Sequence, residues 1–323
     1  MAEPASKSDF LGNPDFFEVC INVPDLDKSL EQFKSLFKMT PYLVRESKIR
    51  NIVVHGEEKP DARIRFAYFR AGPMRLELLQ PLEGETVWVD YVNRKGTGIQ
   101  HIGCRVSDLD SEVAELEKRG VKVDMFMGEP RINMKIAYLD TEDLLGTSLE
   151  LIQFPDPPEE FQLPQKEEDL KFLEEPHFFE VCIVVKDLDS SLERMKSMFD
   201  MTPYLVQPTK VKRSISLHGQ PVPETKFTYS YFHAGPMRLE MLQPQEGPSI
   251  YQEWLDRKGV SIQHIGCRTN HIDEELAYLE KMGVGATQML DVPRAGVKIV
   301  NTDTEAIAGV EFELIQAPGI PGE

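Results

Sequence analysis

Two sets of four side chains in this 323-residue chain have the types and spacing for acid–base chemistry. Glu18, Glu77, His101 and Glu150 form one set. Glu180, Glu240, His264 and Glu313 form the other, each 162 or 163 residues further on. Arg75 and Arg105 accompany the first set, Arg238 and Arg268 the second. All of them lie in short β-rich runs, where side chains alternate between two faces. Val19, Ile21 and Val23 take one face, and Glu18, Cys20 and Asn22 the other. Leu76 and Leu78 oppose Arg75, Glu77 and Leu79. Ile102, Cys104 and Val106 oppose His101, Gly103 and Arg105. Leu149 and Leu151 oppose Ser148, Glu150 and Ile152. The apolar residues mark the face that helices cover, so the other face collects carboxylates, an imidazole and guanidinium groups. Carboxylates gathered together raise one another's pKa values, which marks a functional cluster. A solvent-facing strand is also polar, but here the same residue types recur at the same places in both sets.

The elements that position these residues come from a duplication. FFEVCINVPDLDKSLEQFKSLFKMTPYLV (16–44) returns as FFEVCIVVKDLDSSLERMKSMFDMTPYLV (178–206). AGPMRLELLQP (71–81) returns as AGPMRLEMLQP (234–244), and IQHIGCR (99–105) returns unchanged at 262–268. The halves are 16–153 and 178–316, joined by a Pro-rich, acidic linker over 154–177, with tails at 1–15 and 317–323. Each half is double again. EVCINVPDLD (18–27) and HIGCRVSDLD (101–110) each read as a β-rich run followed by an Asp-Leu-Asp that starts a helix. Leu26, Leu30, Phe33 and Phe37 recur with helical spacing, as do Leu109, Val113 and Leu116, and Gly120 stops the second helix. Residues 49–55, 64–70 and 74–80 read as strands after the first helix; 121–126, 134–139 and 148–153 follow the second. The expectation is an α+β chain of four β-α-β-β-β modules: 16–80, 98–153, 178–243 and 261–316.

The charge balance disfavours several partner classes. Lys and Arg number 36 against 54 Asp and Glu, a net charge of −18, so nucleic acid is a poor default partner. No apolar run approaches the roughly 20 residues of a membrane span, and MAEPASKSDFLG has no signal-peptide core, so cytoplasm is expected. Cys20, Cys104, Cys182 and Cys267 form no CxxC pair and are expected as free thiols.

The strands and their polar face resemble the vicinal-oxygen-chelate superfamily, which includes glyoxalase I, methylmalonyl-CoA epimerase and extradiol dioxygenases. The strongest local matches are QHIGCRVSDLD with RGVKV, and LELLQP. TVWVDYVNRKGTGIQHIG and IYQEWLDRKGVSIQHIG resemble the helix, Lys-Gly and His strand of the epimerase-like branch. The resemblance implies two cupped mixed sheets, each built from two modules around one divalent metal, with ligands from the first and last strand of each module. Glu77, His101 and Glu150 fall on ligand positions, as do Glu240, His264 and Glu313. Glu18 and Glu180 stand where the family usually has His, which gives three carboxylates and one imidazole per site. That set suits Mn, Mg, Fe or Co better than a thiophilic ion, with Zn and Ni as alternatives. Modules one and two pair as in the epimerase-like branch, or one and four as in fused glyoxalases.

The activity implied is an epimerase, isomerase or glyoxalase-type lyase that removes a proton beside the carbonyl of a small organic acid, thioester or ketone. Glu150 and Glu313 are the first candidates for the base, with Glu18 and Glu180 next. An extradiol-type dioxygenase and a metal-free binding protein of the same fold are the alternatives. Arg75, Arg105, Arg238 and Arg268 either grip a substrate anion or offset the excess carboxylates. Lys135 and Lys298 are candidates for the cavity mouth, and His55 and His218 are further substrate-binding candidates. Tyr68 and Tyr231 read as core residues, and Cys20 and Cys182 as small buried thiols. The halves differ at Ser148 against Glu311 and Arg70 against His233, so the two sites need not share a substrate. The chain is expected as a monomer that is already a pseudo-dimer, or as a homodimer.

Overall fold

In a computed structural model, residues 10–154, 170–211, 215–292 and 295–318 are described. The first half runs β1 (Asp15–Asn22), α1 (Leu26–Phe37), β2 (Leu43–Ile49), β3 (Ile52–Val54), β4 (Glu57–Lys59), β5 (Ala62–Ala71), β6 (Met74–Glu83), α2 (Val87–Lys95), β7 (Gly98–Arg105), α3 (Leu109–Lys118), β8 (Val123–Glu129), β9 (Met134–Leu139), α4 (Glu142–Leu145) and β10 (Ser148–Gln153). The second repeats it: β11 (His177–Val184), α5 (Leu188–Phe199), β12 (Leu205–Val211), β13 (Ile215–Leu217), β14 (Gln220–Pro221), β15 (Thr225–Ala234), β16 (Met237–Glu246), α6 (Ile250–Lys258), β17 (Ser261–Arg268), α7 (Ile272–Lys281), β18 (Ala286–Val292), β19 (Val297–Thr302), α8 (Glu305–Ala308) and β20 (Glu311–Gln316). The Asp-Leu-Asp signals start helices for a local reason. Asp25 caps α1 by accepting from the Lys28 N–H, and Asp108 caps α3 by accepting from the Ser111 N–H.

Each half forms one ten-stranded mixed sheet, in the order β2-β5-β6-β1-β7-β10-β9-β8-β3-β4 in the first. β1 runs antiparallel beside β7, so modules one and two pair, and three and four pair likewise through β11 and β17. The run 49–55, expected as one strand, is broken at Arg50–Asn51, where Asn51 takes a left-handed φ of 53°. β2 therefore stays on one edge of the sheet while β3 crosses to the other and pairs with β8. Three Cα steps separate Ile49 from Ile52, so the two edges approach within about 11 Å at that point. The sheet is curled into an almost closed cup.

The faces fall as alternation requires. Val19, Leu76, Ile102 and Leu149 join a core of helices shared by both halves, while Phe17, Cys20, Leu79 and Ile152 line the first cup. Phe312 sits at the centre of the shared core, 5.1–6.3 Å from the rings of Phe178, Phe37, Phe172 and Phe33. Phe10 and Phe172 lie in stretches expected as tail and linker, and both are buried in this core. Residues 155–169 of the expected linker lie outside the described residues. Close backbone contact finishes the two-fold arrangement: a Cβ on Gly146 would collide with Ser261 Cα, and one on Gly309 with Gly98 Cα. No helix among the described residues is long and apolar enough to cross a membrane.

Because the aromatic centre joins the halves, Phe312→Ala is expected to cost roughly 3–5 kcal/mol. Urea unfolding followed by tryptophan fluorescence and circular dichroism should then show both halves lost in one earlier transition. Unfolding of the second half alone would contradict a shared core.

Candidate metal centre

The first cup brings Glu18, Glu77, His101 and Glu150 together, and all four are buried. Nε2 of His101 lies 3.4 Å from Glu150 Oε2, 3.6 Å from Glu77 Oε2 and 3.9 Å from Glu18 Oε1. The second cup repeats this within 0.1 Å, with His264 Nε2 at 3.3, 3.6 and 3.9 Å from Glu313, Glu240 and Glu180. Strand order explains the convergence. β1, β7 and β10 are neighbours, and Gly103 on β7 is directly opposite both Glu18 and Glu150. A Cβ there would come 3.2 Å from Glu18 Cβ and 3.2 Å from Glu150 Oε2, so the missing side chain makes room for the two carboxylates.

Gln100, which sequence alternation did not single out, holds the imidazole. A bulge in β7 shifts the register between Cys20–His101 and Ile21–Ile99. Gln100 Oε1 lies 2.7 Å from His101 Nδ1 and accepts its proton when Nδ1 is protonated, which leaves Nε2 directed at the carboxylates. Gln263 does the same for His264 at 2.6 Å and also donates to Glu311 at 2.9 Å. Tyr138 is a second addition: its hydroxyl donates to Glu150 Oε1, and its ring stands edge-on to His101 at 5.2 Å.

The arginines divide. Arg75 and Arg238 are drawn into the cups, where their Nε groups bond Glu18 and Glu180 and their guanidinium groups lie over Tyr68 and Tyr231 at 4.0 and 3.9 Å. They offset the excess carboxylate. Arg105 stands further out, over Phe17 and 3.6 Å from Asp15, and Arg268 lies over Phe179. Lys135 and Lys298 are not at the cavity mouth. By strand alternation they share a face with the core residues Ala137 and Val300, on the helix side of their sheets, and they pair with Asp110 and Asp273. His55 sits at the β3–β4 turn with φ 48°, 3.4 Å from Asp124, and His218 pairs with Glu253 at 2.9 Å; neither joins the buried clusters. Cys20 lies within reach of Glu77 and His101, but burial, together with Glu77 and Glu18, pushes its thiol pKa well up.

Electrostatics sets the four ligand candidates apart. Burial pushes Glu18 up, yet Arg75 and His101 outweigh it and hold the carboxyl below its ordinary value. Burial and the Glu18 charge push Glu77 up to about 8, and Glu240 is likewise at about 8. Burial also raises Glu150. It opposes charge on His264, but Glu313, Glu180 and Glu240 carry the imidazole up to about 9. His101 Nε2 and Glu150 Oε2 are buried without a hydrogen-bond partner, as is His264 Nε2. Donors about 2.1 Å from one ion stand about 3.0 Å apart at right angles and about 3.4 Å at the tetrahedral angle. The His101–Glu150 separation of 3.4 Å matches the tetrahedral value, and those to Glu77 and Glu18 are longer; ligand atoms of Glu18, His101 and Glu150 lie within 4.8 Å of one another, as do those of Cys20, Glu77 and His101, so the donor types suit a divalent cation.

The chain belongs to the glyoxalase/bleomycin resistance protein/dioxygenase superfamily, whose family model matches residues 17–138 and 179–317. A variant of 4-hydroxymandelate synthase from Streptomyces coelicolor has a similar fold, at 16% identity and a TM-score of 0.62, over 97% of this chain and 95% of that one. Methylmalonyl-CoA epimerase from Mycobacterium tuberculosis aligns at 25% identity and a TM-score of 0.33, over 48% of this chain and 95% of its own. An uncharacterised Bacillus subtilis protein, YqjC, is 27% identical over 101 residues, 31% of this chain and 72% of that protein.

The raised groups have a definite pH signature in the metal-stripped protein. Glu77 and Glu240 bind protons more tightly folded than unfolded, as do His101 and His264, so their stabilisation is present at low pH and is lost as pH rises. The thermal midpoint after chelation is expected to fall between pH 6.5, the ordinary His value, and pH 9. Excess Mn²⁺ should raise it most at the alkaline end, because metal ligands must be deprotonated. A midpoint that rises with pH over this range would contradict the cluster.

Proposed function

We propose that each cup holds a divalent ion and that the protein transfers protons beside the carbonyl of a small substrate, as an epimerase, isomerase or glyoxalase-type lyase. The observation that carries this reading is a buried set of three carboxylates around one imidazole, with Arg75 paired to Glu18. When bound, the ion supplies Lewis-acid polarisation of the carbonyl oxygen. An oxygen-rich donor set favours Mn²⁺, Mg²⁺, Fe²⁺ or Co²⁺. Three ionised carboxylates and Arg75 leave two negative charges in the first cup, which one divalent ion balances.

Glu150 is the base in this reading. Tyr138 fixes one carboxylate oxygen, and Oε2 makes no hydrogen bond, so that oxygen is available to take a proton from the α-carbon and deliver it to the neighbouring carbon, as an isomerase or glyoxalase-type lyase requires; epimerisation requires a second acid on the opposite face. Glu313 has the corresponding role in the second cup. Glu18 and Glu180 lose support as bases, because each commits an oxygen to a buried arginine and is better suited to anchoring the site. Gln100 and Gln263 keep the imidazoles oriented. An extradiol-type dioxygenase is disfavoured: it calls for two His and one carboxylate on iron, and each cup contributes one His.

Solvent-proton exchange in deuterated buffer, screened by NMR against small keto acids, hydroxy ketones and acyl thioesters, tests the reading. Glu150→Gln with Glu313→Gln is expected to slow exchange by about 10²-fold or more while the metal-free fold persists. Full exchange in this double variant would remove both residues from the mechanism.

A further inference from the structure

A cavity of about 90 Å³ lies behind the imidazole brace of the first half, between α2, the β3–β4 turn, β8 and the start of β10. Gln100, Ser148, Asp124, Val87, His55 and Arg94 are among the residues that line it, and none of the four ligand candidates does. The second half fills the corresponding space with a side chain of its own. Ser148 corresponds to Glu311, Asp124 to Thr287 and Gln100 to Gln263. Glu311 is buried, and its Oε2 accepts hydrogen bonds from Gln263 Nε2 at 2.9 Å and from Thr287 Oγ1 at 3.0 Å. A carboxylate thus holds, from behind, the glutamine that orients His264.

The first half has the donors without that carboxylate. Gln100 is 3% exposed, and its Oε1 is engaged by His101 as Gln263 Oε1 is by His264. Its Nε2 therefore turns toward the space that Ser148 leaves, where the serine hydroxyl donates away to Leu139 O at 2.8 Å. A second donor changes in the same direction. Gln288 Oε1 accepts from the Ile250 N–H in the first turn of α6, whereas Met125, its counterpart, offers the Val87 N–H of α2 no acceptor. Buried donors favour a ligand that brings acceptors, and the start of a helix favours negative charge. Charges at the rim are largely matched: Arg94 bonds Asp90 and Glu142, and Lys95 lies 2.6 Å from Glu142. Asp124 is the acid that a bound carboxylate must face. Burial, Asp140 and Glu142 raise its carboxyl above the ordinary Asp value, against the pull of His55 and Arg94. Protonated, Asp124 donates where Thr287 does in the second half.

We propose that the cavity behind Gln100 binds a small monocarboxylic acid of the size of acetate, whose carboxyl group takes the place that Glu311 has in the second half. One oxygen accepts from Gln100 Nε2, and the carboxyl group shares a proton with Asp124. The occupant completes the support of Gln100 and, through it, of His101. The first half thereby takes from solution what the second carries in its own chain. This goes beyond the reading of the cups as metal sites and does not rest on it, because no ligand candidate lines the cavity.

Acetate is the probe, on the full-length chain. Saturation-transfer NMR to its methyl protons is recorded on wild type before and after chelator, and on Ser148→Glu, which restores the Glu311 arrangement in the first half. Transfer is expected in wild type on the acid side of neutrality, unchanged by chelator, and weaker as pH rises because Asp124 loses its proton. It is expected to fall at least about tenfold in Ser148→Glu. Circular dichroism establishes that the variant is folded, and Ser148→Gln, which fills the same space, replaces it if it does not fold. Absence of transfer in wild type, equal transfer in the folded variant, or transfer that strengthens with pH overturns the proposal. Transfer that chelator abolishes also overturns it, since acetate would then sit on a metal, and that result leaves the reading of the cups intact. Methylammonium, run in parallel, is expected to show no transfer; transfer to methylammonium in place of acetate overturns the proposal in favour of a cation site.

Discussion

The structure depends on how the charge of its buried carboxylates is compensated. Glu18, Glu77 and Glu150 converge on one imidazole inside a closed cup, and isolated ions in such a place are costly. Arg75 meets Glu18 and accounts for one of them. Two carboxylates remain, and in a metal-free chain burial and the neighbouring charges favour their protonated forms, raising Glu150 and carrying Glu77 to about 8. A divalent ion would compensate them without protons. The second cup carries the same arrangement with Arg238 and Glu180, so the constraint has been kept twice in one chain.

Several fold features serve that arrangement. The bulge in β7 places two consecutive residues, Gln100 and His101, on the cup side, one as ligand candidate and one as its brace. Gly103 gives the flanking carboxylates room to approach. The crossing of β3 to the far side of the sheet curls it into the cup, and burial there strengthens the charge interactions within it. The helices act on the other face of each sheet, where Phe312 and its aromatic neighbours join the two halves.

Much of the site was legible because a strand's period of two is rigid. That parity placed Glu18, Glu77, His101 and Glu150 on one face from sequence, and it equally puts Lys135 on the other face, where it meets Asp110. Gln100 escaped because a bulge interrupts the period, and an extra residue in one strand leaves no mark on a hydrophobic pattern. The Arg75–Glu18 pair needed the parallel register of β1 with β6, a long-range fact. The β2–β3 break depended on one Asn in a left-handed conformation inside an otherwise strand-like run. Tyr138 carries no ligand or base signal in the sequence, and only its contact with Glu150 and His101 reveals its place.

On the proposed reading, each cup is built around a divalent ion balanced against two carboxylate charges. Elemental analysis of untagged protein, purified without added metal or chelator and then dialysed against Mn²⁺, tests this most directly. About two ions per chain are expected in wild type and about one in a variant carrying His264→Ala, which removes the shared ligand of one cup alone. A wild-type chain that retains no divalent ion after loading would contradict the account.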